Sequence, residues 1–363
     1  MAYLDANASE PLRPQAREAM LAALDVTGNP ASVHAAGRAA RRVVEQARET
    51  IARRFGASAE SVVFTSGGTE ADALAVHGLA AGRRLVIGAT EHDAIRAAAP
   101  GAAVLPVDRE GVADLAALER LLADGPPALV CLMLANNETG TLQPVEQAAA
   151  ICRRFGATLH VDGVQAAGRM PVDLAALGAD SLALSSHKLG GPLGAGALLL
   201  GTAAALVPLI AGGGQERGRR GGTPSLPAIA GFAAAAEQAR DGAYLAELRD
   251  WAEAAACRVG AVVCGGAARL PNTACLALPG MRAETQVIAL DLAGVQVSAG
   301  AACSSGKVAR SHVLDAMGLG ALAGEAIRVS LPWNATPADV ECFVVAYVEM
   351  AERRKARGFA PNR

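Results

Sequence analysis

Aromatic residues are scarce in this chain. Phe, Trp and Tyr make up 3% of its 363 residues and the formal net charge is -2. That combination argues against a nucleic-acid surface, which needs a basic stripe and stacking rings. The short basic runs Arg38-Arg41-Arg42 and Arg217-Arg219-Arg220 read as a solvated helix face and a charged loop. No apolar run reaches the ~18 residues of a membrane-spanning helix; Ala203 to Ile210 is short and broken by Pro208. The N-terminal Met1-Ala2-Tyr3-Leu4-Asp5 lacks a basic region followed by an apolar stretch, so no signal peptide, no membrane contact and a cytoplasmic setting are expected. No C-x-x-C pair occurs among the seven cysteines. Neither a metal site nor a disulfide framework is therefore expected, and the question becomes which thiol is reactive.

What the chain does have is alternation. Short apolar runs are expected as strands at Val62–Phe64, Arg84–Ile87, Ala103–Pro106, Leu129–Leu134, Thr158–Val161, Ser181–Leu184 and Ala197–Leu200, with helical stretches between most of them. Strands separated by helices predict an α/β fold with a mostly parallel, seven-stranded sheet covered on both faces. A helix capped by Ser32 is expected to run to about Phe55, and one long helix from about Pro227 to Cys257. Shorter strands at Ala261–Cys264, Thr273–Leu278 and Val295–Ser298, interspersed with helices, predict a smaller α+β domain. The division expected is a large domain over 15–230 and a small one built from 1–14 and 231–363.

Polar residues gather just after the strands. Thr69, His92, Asn137, Asp162 and Lys188 all fall there, and the carboxyl ends of parallel strands are where such sheets bind ligands. Thr65-Ser66-Gly67-Gly68-Thr69-Glu70 joins a strand to a helix. Its backbone N–H groups at a positive dipole end can hold an anion, though the spacing is that of neither the triphosphate loop nor the dinucleotide fingerprint. Lys188 closes the run Ser181–Leu184. A lysine at the mouth of a buried strand is desolvated, which lowers its pKa and frees an amine for imine chemistry. Ser185 and His187 stand beside it and could hold an anion.

Asp162 in His160-Val161-Asp162-Gly163-Val164-Gln165, followed by Ser185-Ser186-His187-Lys188, resembles the fold-type I enzymes that use pyridoxal 5′-phosphate. More narrowly the chain resembles the cysteine desulfurases of the class V aminotransferase group. The likeness covers almost the whole chain, through Tyr3-Leu4-Asp5-Ala6-Asn7-Ala8, Gly28-Asn29-Pro30-Ala31-Ser32, Asn136-Asn137-Glu138-Thr139-Gly140, the Gly212–Thr223 loop, Ser298-Ala299-Gly300-Ala301-Ala302-Cys303-Ser304-Ser305-Gly306 and Ile327-Arg328-Val329-Ser330.

The resemblance implies roles. Lys188 would hold the cofactor covalently. Asp162 would pair with the ring nitrogen, making the ring an electron sink. His92 would stack on the ring and help set protonation states. Gln165 and Asn137 would address the ring oxygen and the substrate. Gly68, Thr69, Ser185 and His187 would contact the phosphate, and Thr223 would reach the phosphate of a partner subunit, which makes the protein a homodimer. Arg328 would grip the substrate carboxylate, with Asn29 also on the substrate side.

Cys303 decides the reaction expected. L-Cysteine would displace Lys188 from the cofactor, Lys188 would then remove the α-proton, and the Cys303 thiolate would attack the substrate sulfur. The products would be L-alanine and a persulfide on Cys303, donated to an iron–sulfur scaffold or another sulfur-acceptor protein. The insert before Ser311-His312 resembles the long-loop branch associated with iron–sulfur cluster assembly. A selenocysteine lyase, or another class V transaminase or lyase, is the alternative. Two departures from the group's pattern stand out: Ala309-Arg310 where a proline-containing version is common, and Pro332-Trp333 where a glycine-containing pair is usual.

Overall fold

The computed structural model describes residues 1–123, 125–201, 206–240, 242–300 and 310–356. Cys303 lies outside the described residues.

The chain opens with β1 (Ala2–Tyr3), α1 (Pro14–Leu24) and α2 (Ala35–Arg54). It continues through β2 (Val62–Thr65), α3 (Gly68–Leu79), β3 (Arg84–Gly88), α4 (Asp93–Ala98), β4 (Ala103–Leu105), α5 (Leu115–Ala123), β5 (Ala128–Met133), α6 (Val145–Arg154), β6 (Thr158–Asp162), α7 (Leu174–Leu177), β7 (Ser181–Ser185) and β8 (Gly196–Leu200). The seven strands β2 to β8 form one sheet in the order β2-β8-β7-β6-β5-β3-β4. Pairing is parallel from β7 across to β4, while β8 runs antiparallel to both β7 and β2. The expected mostly parallel α/β sheet is thus present. Strands β2, β5, β7 and β8 are buried at every residue, as a sheet covered on both faces requires.

Both faces are covered because the helices present apolar stripes. In α2 the buried Ala40, Val44, Ala47 and Ile51 recur at helical spacing, and its outer face carries Arg and Glu. The helix is capped by His34, whose Nδ1 accepts from Gly37 N at 3.3 Å, and not by the expected Ser32.

The expected long helix after Pro227 is two helices, α8 (Leu226–Gln238) and α9 (Tyr244–Arg258). Ala239 leaves the helical region and Gly242 N donates to Arg169 O at 3.1 Å, which turns the chain. Apolar residues of α8 through Ala236 pack on α1 and α2 in the large core, whereas Leu245 of α9 belongs to a second core. Position 230 falls inside α8. The second core lies beneath β9 (Val262–Val263), β10 (Thr273–Ala277), α10 (Ala283–Leu292), β11 (Val295–Gln296), β12 (Ser298–Ala299), β13 (Ala326–Ser330) and α12 (Pro337–Ala356), while α11 (His312–Ala316) packs Val313 and Leu314 into a smaller cluster with Cys264 and Cys275. Its four-stranded sheet has the order β12-β13-β10-β9, and β1 pairs with β11. The N-terminal segment therefore closes the second core and then crosses to the first, passing between them at Asp5–Glu10.

Candidate active site

That crossing segment meets the carboxyl ends of β5, β6 and β7. Strand β7 ends at Ser185, and a single 3₁₀ turn, Ser186–Lys188, carries the lysine out of the sheet. Lys188 Nζ donates to the carbonyls of Asn7 and Ala8, the latter at 3.0 Å. Gln165 Nε2 donates to the same Asn7 carbonyl at 3.1 Å. Asn7 is itself fixed: its Nδ2 donates to Thr273 Oγ1 at 2.9 Å and to Asn137 O at 3.1 Å, and its N donates to Ser330 Oγ at 3.0 Å.

Asp162 is the last residue of β6 and is buried. Burial pushes its carboxyl above the usual range; the charge of His92, the Val164 N–H at 2.9 Å and the charge of Lys188 all pull it back. His92 and Lys188, distant in sequence, thus act on one carboxyl. His92 is the N-cap of α4, and its Nδ1 accepts from Ala94 N at 3.1 Å, so the neutral form of the ring carries its proton on Nε2. Burial, with Lys188 and Arg169 nearby, lowers His187 to about 4, so its ring is neutral at pH 7.

The expected anion cradle is built from helix α3. Gly68 and Thr69 stand in its first turn, where N–H groups have no intrahelical acceptor. The approach is close: a Cβ on Gly68 would sit 2.7 Å from Val164 Cγ2 and 3.4 Å from Ser185 Cβ, and one on Gly196 of β8 would sit 2.6 Å from the Gly67 carbonyl carbon. Gly68, Ser185 and the Asp162–Gln165 turn therefore share one corner.

Arg328, in β13, is 1% exposed. Its Nη2 pairs with Asp5 Oδ1 at 2.7 Å and its Nη1 donates to Asn137 O at 3.1 Å, while Nε has no hydrogen-bond partner among the described residues. Asn137 thus reaches Arg328 through its backbone carbonyl. Two expected site residues lie elsewhere. Asn29 is exposed, its Oδ1 accepting from Ala31 N at 2.9 Å, and it borders an opening with Arg41, Arg48, Gly213 and Pro224. Thr223 is exposed beside Pro224. The Gly/Arg loop that carries it folds back on its own chain, through Glu216 with Arg48 at 2.7 Å and Arg220 with Glu70 at 2.7 Å.

Sequence reasoning passed over the acids behind this site. Glu91 is fully buried; its Oε1 accepts from Met133 N at 2.7 Å and its Oε2 has no partner among the described residues. Asp72 of α3 meets His160 Nε2 at 3.2 Å, and His160 Nδ1 meets Ser181 Oγ at 2.8 Å. Burial raises Asp72 well above the carboxylate range and lowers His160 to about 3, so the contact joins neutral groups and is not an ion pair. The one available signal was the alternation that puts His160 and Asp162 on one face of β6. Glu138 accepts from Ser311 Oγ at 2.6 Å, and a Cβ on Gly300 would lie 2.7 Å from its Oε2; its carboxyl thus touches both described flanks of the segment that holds Cys303.

The geometry offers an amine, a buried acid suited to a cationic ring atom, an oriented imidazole, a helix N-terminus for a phosphate and a buried guanidinium. The comparisons bear on which chemistry uses them. The pattern of the family Aminotransferase class-V matches residues 2–343. An IscS-like cysteine desulfurase of Mycobacterium tuberculosis is 40% identical over 94% of this chain and 94% of its own. A cysteine desulfurase of Cereibacter sphaeroides is 43% identical over 93% of this chain and 92% of its own. Among solved structures, a NifS-like protein from Rickettsia africae superposes with a TM-score of 0.89 at 35% identity, covering 97% of this chain and 99% of that one. On these matches the chain belongs to the class-V aminotransferase family, in its cysteine desulfurase group.

Proposed function

We infer that this chain removes sulfur from L-cysteine with pyridoxal 5′-phosphate, giving L-alanine and a persulfide on Cys303. The observation that carries the reading is the convergence of Lys188, His92 and Asp162 on one buried corner beside the α3 N-terminus, in a chain of this group. The donor set fits the cofactor. Gly68 and Thr69, with Ser185 and His187, would hold the phosphate; Asp162 would hold a protonated ring nitrogen; Lys188 would hold the aldehyde carbon. When bound, the cofactor supplies an electron sink for the carbanion left at the substrate α-carbon.

The chain's own residues supply the rest. Arg328 grips the substrate carboxylate through a rigid, permanently charged fork. Lys188 takes the α-proton. His92 would stack on the ring and offer its Nε2–H as a donor. The Cys303 thiolate attacks the substrate sulfur, the carbon–sulfur bond breaks, and its electron pair stays with the alanine skeleton. The sulfur then passes to an acceptor protein, of which an iron–sulfur scaffold is one class.

We also place the chain in a homodimer. Asn29 and Thr223 are both exposed, and Asn29 borders one opening with Pro224, the residue after Thr223, which suits residues that serve a neighbouring subunit's site. No helix among the described residues is long and apolar enough to cross a membrane.

The test is Cys303→Ala. After L-cysteine addition, the wild-type peptide bearing residue 303 should gain the mass of one sulfur atom, and the variant should lose both that adduct and turnover. Sulfide release at near wild-type rate in the variant would remove the thiol from the reaction and favour the lyase alternative.

A further inference from the structure

The departure Pro332-Trp333 has a structural consequence of its own. Trp333 leaves β13 and turns toward the N-terminal segment: its N donates to Glu10 Oε2 at 3.0 Å and its Nε1 donates to Pro11 O at 2.8 Å. The ring lies under the Arg13 guanidinium, 4.6 Å from its centroid. Beside it opens a cavity of about 160 Å³, bordered by Arg13, Arg169, Arg240, Glu10, Tyr244 and Trp333.

The charge in this cavity is unbalanced. Among the described residues, three guanidiniums, ionised at any ordinary pH, face one carboxyl. Glu10 is already engaged, by Arg169 at 3.3 Å and by the Trp333 N–H. Arg169 is 3% exposed, and its Nε has no hydrogen-bond partner among the described residues. Burial disfavours the charge on Arg13; Glu10 and Tyr244 offset part of that, and the neighbouring Arg240 adds to it. A buried guanidinium donor left unpaired at the foot of a positively charged pocket is costly. An oxyanion would satisfy it. A water occupies about 30 Å³ of liquid, so the cavity has room for an anion of several heavy atoms.

We propose that the Arg13–Arg169–Arg240 cavity walled by Trp333 is a second anion-binding site, taking a small oxyanion, either a carboxylate or a tetrahedral phosphate or sulfate. It is separate from the phosphate cradle at α3 and from Arg328, and it does not depend on the reaction assigned above. It is wired to Lys188. Arg169 Nη1 donates to Gln165 Oε1 at 2.5 Å, Gln165 donates to the Asn7 carbonyl, and Lys188 donates to that same carbonyl. Glu10 N also donates to His187 O at 2.9 Å. An occupant would therefore press on the turn that presents the lysine.

Trp333 is one of two tryptophans, so a Trp251→Phe protein makes its emission a local reporter. The cofactor-loaded protein is titrated with inorganic phosphate, sulfate and acetate, against chloride at matched ionic strength. The expected result is a saturable change in Trp333 emission or a saturable binding heat, half-complete at roughly millimolar concentration, in the weak range for a small ion. It should be lost or weakened at least ~10-fold in Arg240→Gln, an exposed substitution that costs one guanidinium, about 1.4 kcal/mol or more. Response to phosphate and sulfate alone assigns a tetrahedral ligand; response to acetate as well assigns oxyanions generally. Neither emission nor heat saturating below about 10 mM, a free energy weaker than ~3 kcal/mol, would overturn the proposal. Equal binding by Arg240→Gln would overturn it too.

Discussion

Asp5 Oδ1 stands 2.7 Å from Arg328 Nη2, while its second oxygen accepts from Ser298 Oγ at 2.8 Å. The carboxylate thus ties β13 and β12 to the segment that crosses the mouth of the site. It holds one arm of the guanidinium and Asn137 O holds another, so the direction of the fork is set before any substrate arrives. Such preorganisation lowers the cost of binding. Asp5→Asn keeps the shape and removes the charge-assisted bond, which contributes ~1.5–3 kcal/mol. KM for L-cysteine should rise about tenfold or more, with a smaller change in kcat. Steady-state kinetics decide it; an unchanged KM would mean that Asp5 does not orient Arg328 for the carboxylate.

The contact between β8 and the turn before α3 makes a second prediction. A Cβ on Gly196 would meet Gly67 backbone at 2.6 and 2.7 Å and Leu184 O at 2.7 Å, none of which is a flexible side-chain end. Gly196→Ala should force the α3 N-terminus outward. Overpacking of this kind costs ~1–3 kcal/mol, and here it also spreads the phosphate cradle. Cofactor retention after gel filtration, read from the visible band, should fall together with Tm. A variant that loses Tm but keeps the cofactor stoichiometrically would separate the cradle from this turn.

How much of this was legible beforehand depended on how local each signal was. The strand-end positions of Thr69, His92, Asn137, Asp162 and Lys188 follow from apolar runs a few residues long, and the sheet places them as expected. Asn7, Gln165, Arg169 and Glu10 form one network, but the bonds that tie Gln165 and Arg169 to Asn7, Ala6 and Glu10 span 158 to 163 residues and no short pattern encodes them. The break between α8 and α9 has one local signal, Asp241-Gly242, set in alanine-rich sequence with no proline; a tertiary bond from Gly242 to Arg169 makes the turn. Residue preference likewise favoured Ser32 as a cap, and the ring nitrogen of His34 does the work instead.

The pair of His160 and Asp72 predicts a response to acid. Burial lowers His160 to about 3 from an ordinary value near ~6.5. Between those values the unfolded chain binds a proton there that the folded chain does not. Stability therefore falls as pH drops through that window, by ~1.4 kcal/mol per pH unit for one proton. His160→Gln should be less stable at pH 7, having lost the fit between Asp72 and Ser181. It should also be less sensitive to acid, with a flatter urea midpoint between pH 6.5 and 4, the window set by the ~6.5 ordinary value. Equal slopes in the two proteins would mean that His160 takes up its proton in the folded state too.

Glu91 predicts the opposite slope. Its carboxyl is fully buried, one oxygen accepts from Met133 N, and the other has no partner among the described residues. Burial first, and then the charge of Asp162, push it well above the carboxylate range. Here the folded state keeps a proton that the unfolded chain releases above about 4.3. The stabilisation is complete below that value and is lost as pH rises toward the folded pKa, again by ~1.4 kcal/mol per pH unit. Glu91→Gln is neutral throughout and nearly isosteric, so its stability should gain on the wild type as pH rises from 5 to 8, starting just above the unfolded value of ~4.3. Urea midpoints of the two proteins in the same cofactor-loading state, taken across that range, give the answer. Parallel curves would mean that Glu91 titrates in the fold as it does in the open chain, and the site would then hold a second negative charge beside Asp162.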